Sequence, residues 1–314
     1  DMILRTIKQT VLLAACAGLL AACNKQDTPD IPESRLFATP EAAVDAFVTA
    51  LESKDKQALM TIFGPEGDRL LSSGDAVADA ADRKDFLEAY RNKHAIIAEG
   101  ELRILNVGVN DWPLPIPLAS QGGKWYFDTE AGAEELINRR IGENELGAIS
   151  AAHGFVAAQQ EYASEGRDGD EAGVYAVKII SDPGSRNGLY WQTSEGEPAS
   201  PIGPLVAAAA AEGYDAATAE AYHGYRYRML YKQGGNAPGG PREYFNNGRL
   251  TDGFALLAWP AEYGASGMKT FMVNQDGVVY EKDLGPETAT AVAAIDSFDP
   301  DASWMKVEEI TVAE

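Results

Sequence analysis

Cysteine, histidine and basic side chains are scarce in this sequence, and each scarcity removes a class of function. Two cysteines occur in 314 residues, Cys16 and Cys23, both near the N-terminal end. No disulfide framework can be built from that pair, so the folded body has to rest on its apolar core. The three histidines, His94, His153 and His223, lack the short spacings of zinc ligands. Lysine and arginine number 26 against 48 acidic residues, a net charge of −22. Such a polyanion is repelled by phosphate backbones, which excludes nucleic acid as a partner. Dinucleotide and phosphate-loop fingerprints are missing too. Gln233–Gly240 is glycine-rich but has no Lys-Ser/Thr to grip a phosphate. Tyr263–Gly267 is not a nucleophile elbow, because Met268 stands where the last glycine of Gly-x-Ser-x-Gly belongs. With no nucleophile beside a base at a legible spacing, a non-enzymatic role is expected. A hydrolase built from carboxylates distant in sequence is the alternative.

Long apolar runs are also lacking, since a spanning helix needs about 20 such residues. The N-terminal stretch is shorter and is broken by Gln9, Thr10 and Gly18. What it does contain is the layout of a secretory signal: Arg5 and Lys8, an uncharged run, then small residues. Leu20-Ala21-Ala22-Cys23 resembles a bacterial lipobox, whose cysteine is acylated after cleavage. A rival cut before Cys16 would leave an apolar run of only a few residues. The expectation is a signal over residues 1–22, a lipid on Cys23, and a proline-bearing tether over 23–36. Asn24 in place of aspartate favours the outer membrane, so the protein is expected there, exported and facing the periplasm, with the membrane as one partner.

The rest of the sequence reads as α+β. Thr39-Pro40-Glu41 opens a first helix, a second covers Lys56 to Phe63, and Asp75 to Ala98 reads as a third helical stretch. Leu102, Ile104 and Val107 alternate as a strand. Trp112 to Leu118 carries three prolines and is expected as an edge or an extended apolar strap. Gly122-Gly123 turns it into a strand over Lys124–Phe127. Helices followed by a Trp-bearing hairpin loosely resemble the opening of nuclear-transport-factor-like domains, although too few strands are expected to follow. A helical N-terminal domain with a small hairpin is therefore assigned to 37–128. A second domain, 129–314, begins with a long helix to about Tyr162, apolar at Ile137, Ile141, Ala148, Ala152, Phe155 and Tyr162. Gly142, Gly147 and Gly154 weaken that helix by about 1 kcal/mol each, so it is expected to depend on packing against a sheet. Strands follow over Val174–Ile180, Tyr225–Tyr231 and Gly253–Trp259, then the hairpin Thr270–Asn274 to Val278–Lys282. Helices are expected over Leu205–Glu212 and Thr288–Ser297, and a last strand over Trp304–Val312.

Several short motifs of this second half occur in a recognisable order: Asn144-Glu145, Gln160–Ala163, Gly224-Tyr-Arg-Tyr-Arg228, Ala258-Trp259-Pro260, Tyr263–Gly267, Thr270-Phe271 and Gln275–Tyr280. Their order resembles the globular head of type IV pilin-like proteins. That resemblance implies a helix across an antiparallel sheet and a surface used for subunit contact. A lipobox and an additional domain stand where pilins carry their long apolar helix. The whole chain, through Gly188–Trp191, Ser200–Gly203, Tyr222–Tyr225, Ala237–Gly240 and Lys282–Gly285, is similar to a bacterial family known as domain of unknown function 2950. This implies an exported envelope protein and no particular reaction.

Candidate site residues remain few. His223 lies among Tyr222, Tyr225, Arg226 and Arg228, where ligand contact competes with a packed turn. Asp168, Asp170 and Glu171 surround Gly169 and are the expected metal contacts, for weak calcium if for any ion, since the closing glutamate of a calcium hand is absent. The loop Gln233–Asn247 carries Arg242, Tyr244 and Phe245 amid glycines, the mix enriched at interfaces. The competing reading is that its aromatics pin the loop to its own sheet. No cofactor is expected. The function expected is a lipid-anchored binding or assembly module meeting an envelope protein or glycan, with a hydrolase or glycan-binding protein acting on envelope polysaccharide as the alternative.

Overall fold

The computed structural model describes residues 31–32, 35–194, 196–215 and 221–308. The expected signal, Cys23 and most of the tether lie outside the described residues, as does the end of the last expected strand. Helix α1 (Pro40–Ser53) starts where Thr39 Oγ1 accepts from the Ala42 amide at 3.1 Å, with proline at the first helical position. Asp55 caps α2 (Lys56–Phe63) in the same way through the Ala58 amide at 2.9 Å. A 3-10 turn and α3 (Gly67–Leu71) follow, then α4 (Ala76–Asn92).

The expected third helical stretch is here corrected. Helix α4 ends at Asn92, Lys93 becomes extended, and His94–Glu99 forms strand β1. The stretch is helical in propensity up to Asn92, but Ile96 and Ile97 are β-branched and pair with β2 (Leu102–Val107) in antiparallel register. Strands β3 (Trp112–Pro113), β4 (Leu118–Gln121) and β5 (Lys124–Phe127) complete a sheet of order β1-β2-β4-β5, with β3 on β2. The small hairpin expected here is therefore a five-stranded sheet. The proline strap buries Leu114 and Ile116, and the Leu114 amide donates to Leu105 at 2.8 Å.

Helix α5 (Thr129–Ser164) is 36 residues long and serves two cores. Its Ala133, Ile137 and Ile141 pack with α1, α2 and the first sheet. Its Ala148, Ala152, Phe155 and Tyr162 pack with the second sheet. A division at residue 128 assigns to one unit a helix that both units share. Two glycines let neighbours approach it. A Cβ on Gly132 would collide with the Pro115 carbonyl of the strap, and one on Gly147 would lie 3.2 Å from His223 Cβ. The glycines that lower helical propensity thus permit close packing.

Beyond α5, the expected strand Val174–Ile180 does not pair as one. Bends fall at Val177 and Ile179, and the buried Gln159 amide holds Ala176, donating to its carbonyl at 3.0 Å and accepting from its amide at 2.9 Å. The rest of the segment is tied by scattered backbone bonds in place of the regular ladder that periodicity suggested: the Tyr175 amide donates to the Leu250 carbonyl, and the Leu189 and Tyr190 amides donate to the Lys178 and Ile179 carbonyls. Helix α6 (Gly203–Glu212) precedes β6 (Tyr225–Leu230). Short strands β7 (Lys232–Gln233) and β8 (Arg242–Glu243) pair with each other, as do β9 (Phe245–Asn246) and β10 (Arg249–Leu250). The main sheet adds β11 (Ala255–Pro260), β12 (Lys269–Asn274) and β13 (Tyr280–Asp283); helix α7 (Thr288–Ala293) then leads to β14 (Met305–Lys306). Its order is β14-β13-β12-β11-β6, antiparallel throughout, and α5 lies across β11 and β12. The α+β class and a long helix packed on an antiparallel sheet are both present.

Candidate functional site

A large groove lies beneath α4, and it exists because α4 is too polar to fill it. Leu87 is the one fully buried side chain among its 17 residues, with Phe86, Ala89 and Tyr90 partly buried. An amphipathic helix with so thin an apolar stripe does not seal against a core. The result is an open groove of about 1090 Å³, bounded by α4, the first half of α5, the strap and the turn after β2. Ligand sites are commonly concavities of a few hundred to about 1,000 Å³ with a mostly apolar lining. Phe47, Leu59, Phe63, Leu114 and Ile116 form the floor. Phe47 meets Phe63 at 5.2 Å and Phe86 at 5.3 Å between ring centroids, which fixes the floor's shape. On the rim, Val109 is 77 % exposed and Trp112 stands beside it.

The walls carry charge. Asp79, Asp82, Asp85 and Glu88 recur at every third position of α4 and line one side. Leu136, Arg139, Arg140 and Glu143 face them from α5. Arg140 donates to the carbonyls of Arg69 at 3.1 Å and Leu70 at 2.6 Å, tying α5 to α3. Arg139 pairs with Glu135 at 2.8 Å and lies 6.0 Å over the Trp112 ring. Asp82 keeps solvent contact at the groove mouth while the walls crowd it. Desolvation raises its pKa above the ordinary carboxylate value, Arg140 opposes the rise, and Asp79, Glu143 and Asp85 add to it. A carboxyl whose pKa is raised in a cleft is the type of group that serves in proton transfer.

Asp75 sets the position of this wall. Buried to 2 % exposure, it caps α4 by accepting from the Val77 and Ala78 amides with Oδ1, each at 3.1 Å. Its Oδ2 accepts from the Tyr214 hydroxyl at 2.8 Å and the Gly224 amide at 2.9 Å, both in the second unit. One carboxylate thus starts the groove helix and anchors it to the other half of the molecule. Burial, then the hydrogen bond to Asp75, raises the Tyr214 pKa well above the ordinary tyrosine value.

The residues singled out from sequence lie elsewhere and apart from one another. His223 occupies a left-handed turn, φ 49°, with Nε2 3.2 Å from Glu212 and its ring against Tyr222. It adjoins a smaller apolar cavity of about 260 Å³ that Phe155, Leu205, Tyr214, Tyr222, Tyr225 and Tyr227 help to line. Arg242 is exposed and donates to the Asp252 carbonyl at 3.3 Å. Tyr244 is fully buried, and its hydroxyl donates to Gln233 Oε1 at 3.0 Å. Burial pushes that phenol up to about 12. Tyr244 is therefore a core residue that pins its loop, which corrects its expected place on a binding surface. Phe245 is 42 % exposed and packs on Tyr231. Asp168 accepts from the Arg186 amide at 2.9 Å and Asp170 pairs with Arg249 at 2.9 Å, while Glu171 is exposed. These carboxylates hold loops, and among the described residues no three histidine, cysteine or acidic side chains are grouped to hold a metal ion. Sequence reasoning passed over the groove. The signal that could have found it was the acidic stripe on α4 opposite Arg139 and Arg140.

Residues 34–307 match the family model described as "Protein of unknown function (DUF2950)". No curated protein and no solved structure matches the chain.

Proposed function

We propose that this chain, which belongs to the DUF2950 family, is an exported, lipid-anchored envelope protein that binds a peptide or glycan of the envelope in the groove beneath α4. The observation that carries this reading is the groove itself: an open concavity under a charged wall, with core side chains beneath it and the apolar Val109 and Trp112 exposed at its rim. Apolar surface left exposed in a concavity is costly unless something covers it. The segment Leu20–Cys23 supports the anchor and the compartment. In the second unit, α5 lying across an antiparallel sheet supports the finer reading of a pilin-like head that acts as an assembly surface. The test is recovery of bound material from protein purified out of native envelopes. Intact protein retains a ligand, and Ala89→Trp, which fills the groove from α4, does not. Equal recovery of one ligand from both, or none from either, would overturn the reading.

A second reading is supported by Asp82. A carboxyl with a raised pKa, sharing its groove with Glu143, is the type of group that protonates a leaving glycosidic oxygen. On that reading the groove hydrolyses envelope polysaccharide. Asp82→Asn then abolishes release of reducing ends while ligand recovery persists. Unchanged release, or none from the intact protein, removes it.

A further inference from the structure

Among the described residues, strand β1 has no backbone partner on one of its two sides. In an antiparallel ladder, alternate residues turn both their N–H and their C=O toward the neighbouring strand. The Gly108 amide donates to the Lys93 carbonyl at 2.8 Å, and the register that sets His94 opposite Val107 sets Lys93 opposite Gly108. Lys93, Ala95, Ile97 and Glu99 therefore face β2. His94, Ile96 and Ala98 point their backbone groups outward, where no described residue meets them.

Exposed edges are normally blunted by lysine, proline, a bulge or a covering segment, because an open edge recruits another strand. The opposite edge of this sheet is covered: Phe37 exchanges two backbone hydrogen bonds with Trp125, each at 2.7 Å. In the second sheet, edge strand β14 is two residues long and carries Lys306. Strand β1 has none of these devices. It is six residues long, continuous in register and free of proline and lysine, and its Ile97 is 42 % exposed.

We propose that β1 pairs antiparallel with β1 of a second copy of this chain, centred on Ile96, to make one continuous sheet across a two-fold axis. Charge selects a second copy over other strands. The N-terminal end of β1 is basic, with Arg91, Lys93 and His94, and the C-terminal end is acidic, with Glu99 and Glu101. A two-fold axis through Ile96 sets Lys93 opposite the partner's Glu99, while Arg91 at the end of α4 and Glu101 in the turn after β1 add charge of the same signs at the two ends. Such an isologous contact is self-complementary by construction. Elsewhere, on a chain of net charge −22, self-contact mostly sets acid against acid. The intramolecular pairs of Arg91 with Glu52 and Lys93 with Asp111, both at 2.7 Å, are exposed and leave their cations accessible at the edge. The outward amides and carbonyls supply the hydrogen bonds of strand addition.

Sedimentation of the full chain in neutral detergent over a broad micromolar range tests this, with circular dichroism confirming that each variant folds. The intact chain sediments as a dimer. Glu99→Lys/Glu101→Lys makes both ends basic, Arg91→Glu/Lys93→Glu makes both ends acidic, and each variant self-associates about tenfold or more weakly. Mixed together, the two variants form a one-to-one dimer. A monomeric intact chain, variants that dimerise as well as the intact chain, or a mixture that stays monomeric would each overturn the proposal. A dimer indifferent to both charge changes places the contact on another surface.

Discussion

Replacing Asp75 by alanine removes four hydrogen bonds made by a single buried carboxylate. Two of them, to the Val77 and Ala78 amides, cap α4, and losing an aspartate cap costs about 1 kcal/mol. The other two, from the Tyr214 hydroxyl and the Gly224 amide, are buried, and their donors would be left without an acceptor. Each orphaned buried donor costs about 1–3 kcal/mol, so the substitution should lower stability by about 3–7 kcal/mol, a large share of what a domain possesses. Tyr214→Phe removes one donor and leaves the cap intact, at about 1–1.5 kcal/mol. Because both changes act on the same bond, the double variant should be more stable than the sum of the two singles by about 1 kcal/mol or more. Urea unfolding of the four proteins, followed by circular dichroism and by tryptophan emission, measures this. If Asp75→Ala costs less than about 1 kcal/mol, or if the two changes simply add, the reasoning that Asp75 bridges the two units fails.

Gly142 and Gly132 lie on the same helix and should respond with opposite signs. Gly142 has open space around its Cβ position and is exposed, so Gly142→Ala should stabilise by about 0.5–1 kcal/mol. Gly132→Ala drives a methyl into the strap carbonyl and should destabilise by about 1–3 kcal/mol; urea midpoints decide both. Gln159→Leu deprives the Ala176 amide and carbonyl of their partners and should cost about 2–4 kcal/mol, with faster amide exchange across 174–180 as its local signature. Burial raises the pKa of Tyr214, Tyr225, Tyr227 and Tyr244 above the ordinary tyrosine value. Their contribution is complete below about pH 10, where unfolded tyrosine titrates, and is lost as pH rises toward the folded values. Thermal midpoints should fall from about pH 10 upward, in step with phenolate absorbance, and a flat profile there would contradict the burial.

Much of the architecture was legible because it is local. Thr39-Pro40 and Asp55 announce helix starts through chemistry confined to a few neighbouring residues. The glycine turns, the alternation of β2 and the short apolar runs of β5, β11 and β12 are equally local. Short motifs such as Gly188–Trp191, Ser200–Gly203 and Tyr222–Tyr225 carried the resemblance to the family whose model covers residues 34–307. Where the reading failed, a distant partner decided. The segment Ile96-Ile97 became a strand because β2 was there to pair with it, against the helical pattern running into it. Val174–Ile180 formed no regular ladder, because Gln159, 17 residues before Ala176, satisfied that residue's backbone while Leu250, Leu189 and Tyr190 took others. Tyr244 looked like an interface aromatic by composition, yet it is core, since burial depends on which surface closes over a side chain. The groove is the furthest from sequence of all. Its acidic stripe repeats every third residue on α4, but only the packing of α5, the strap and Asp75 around that helix makes the stripe a wall. Local patterns set what each segment can form, and tertiary contacts decide which polar groups are satisfied and which surfaces stay open.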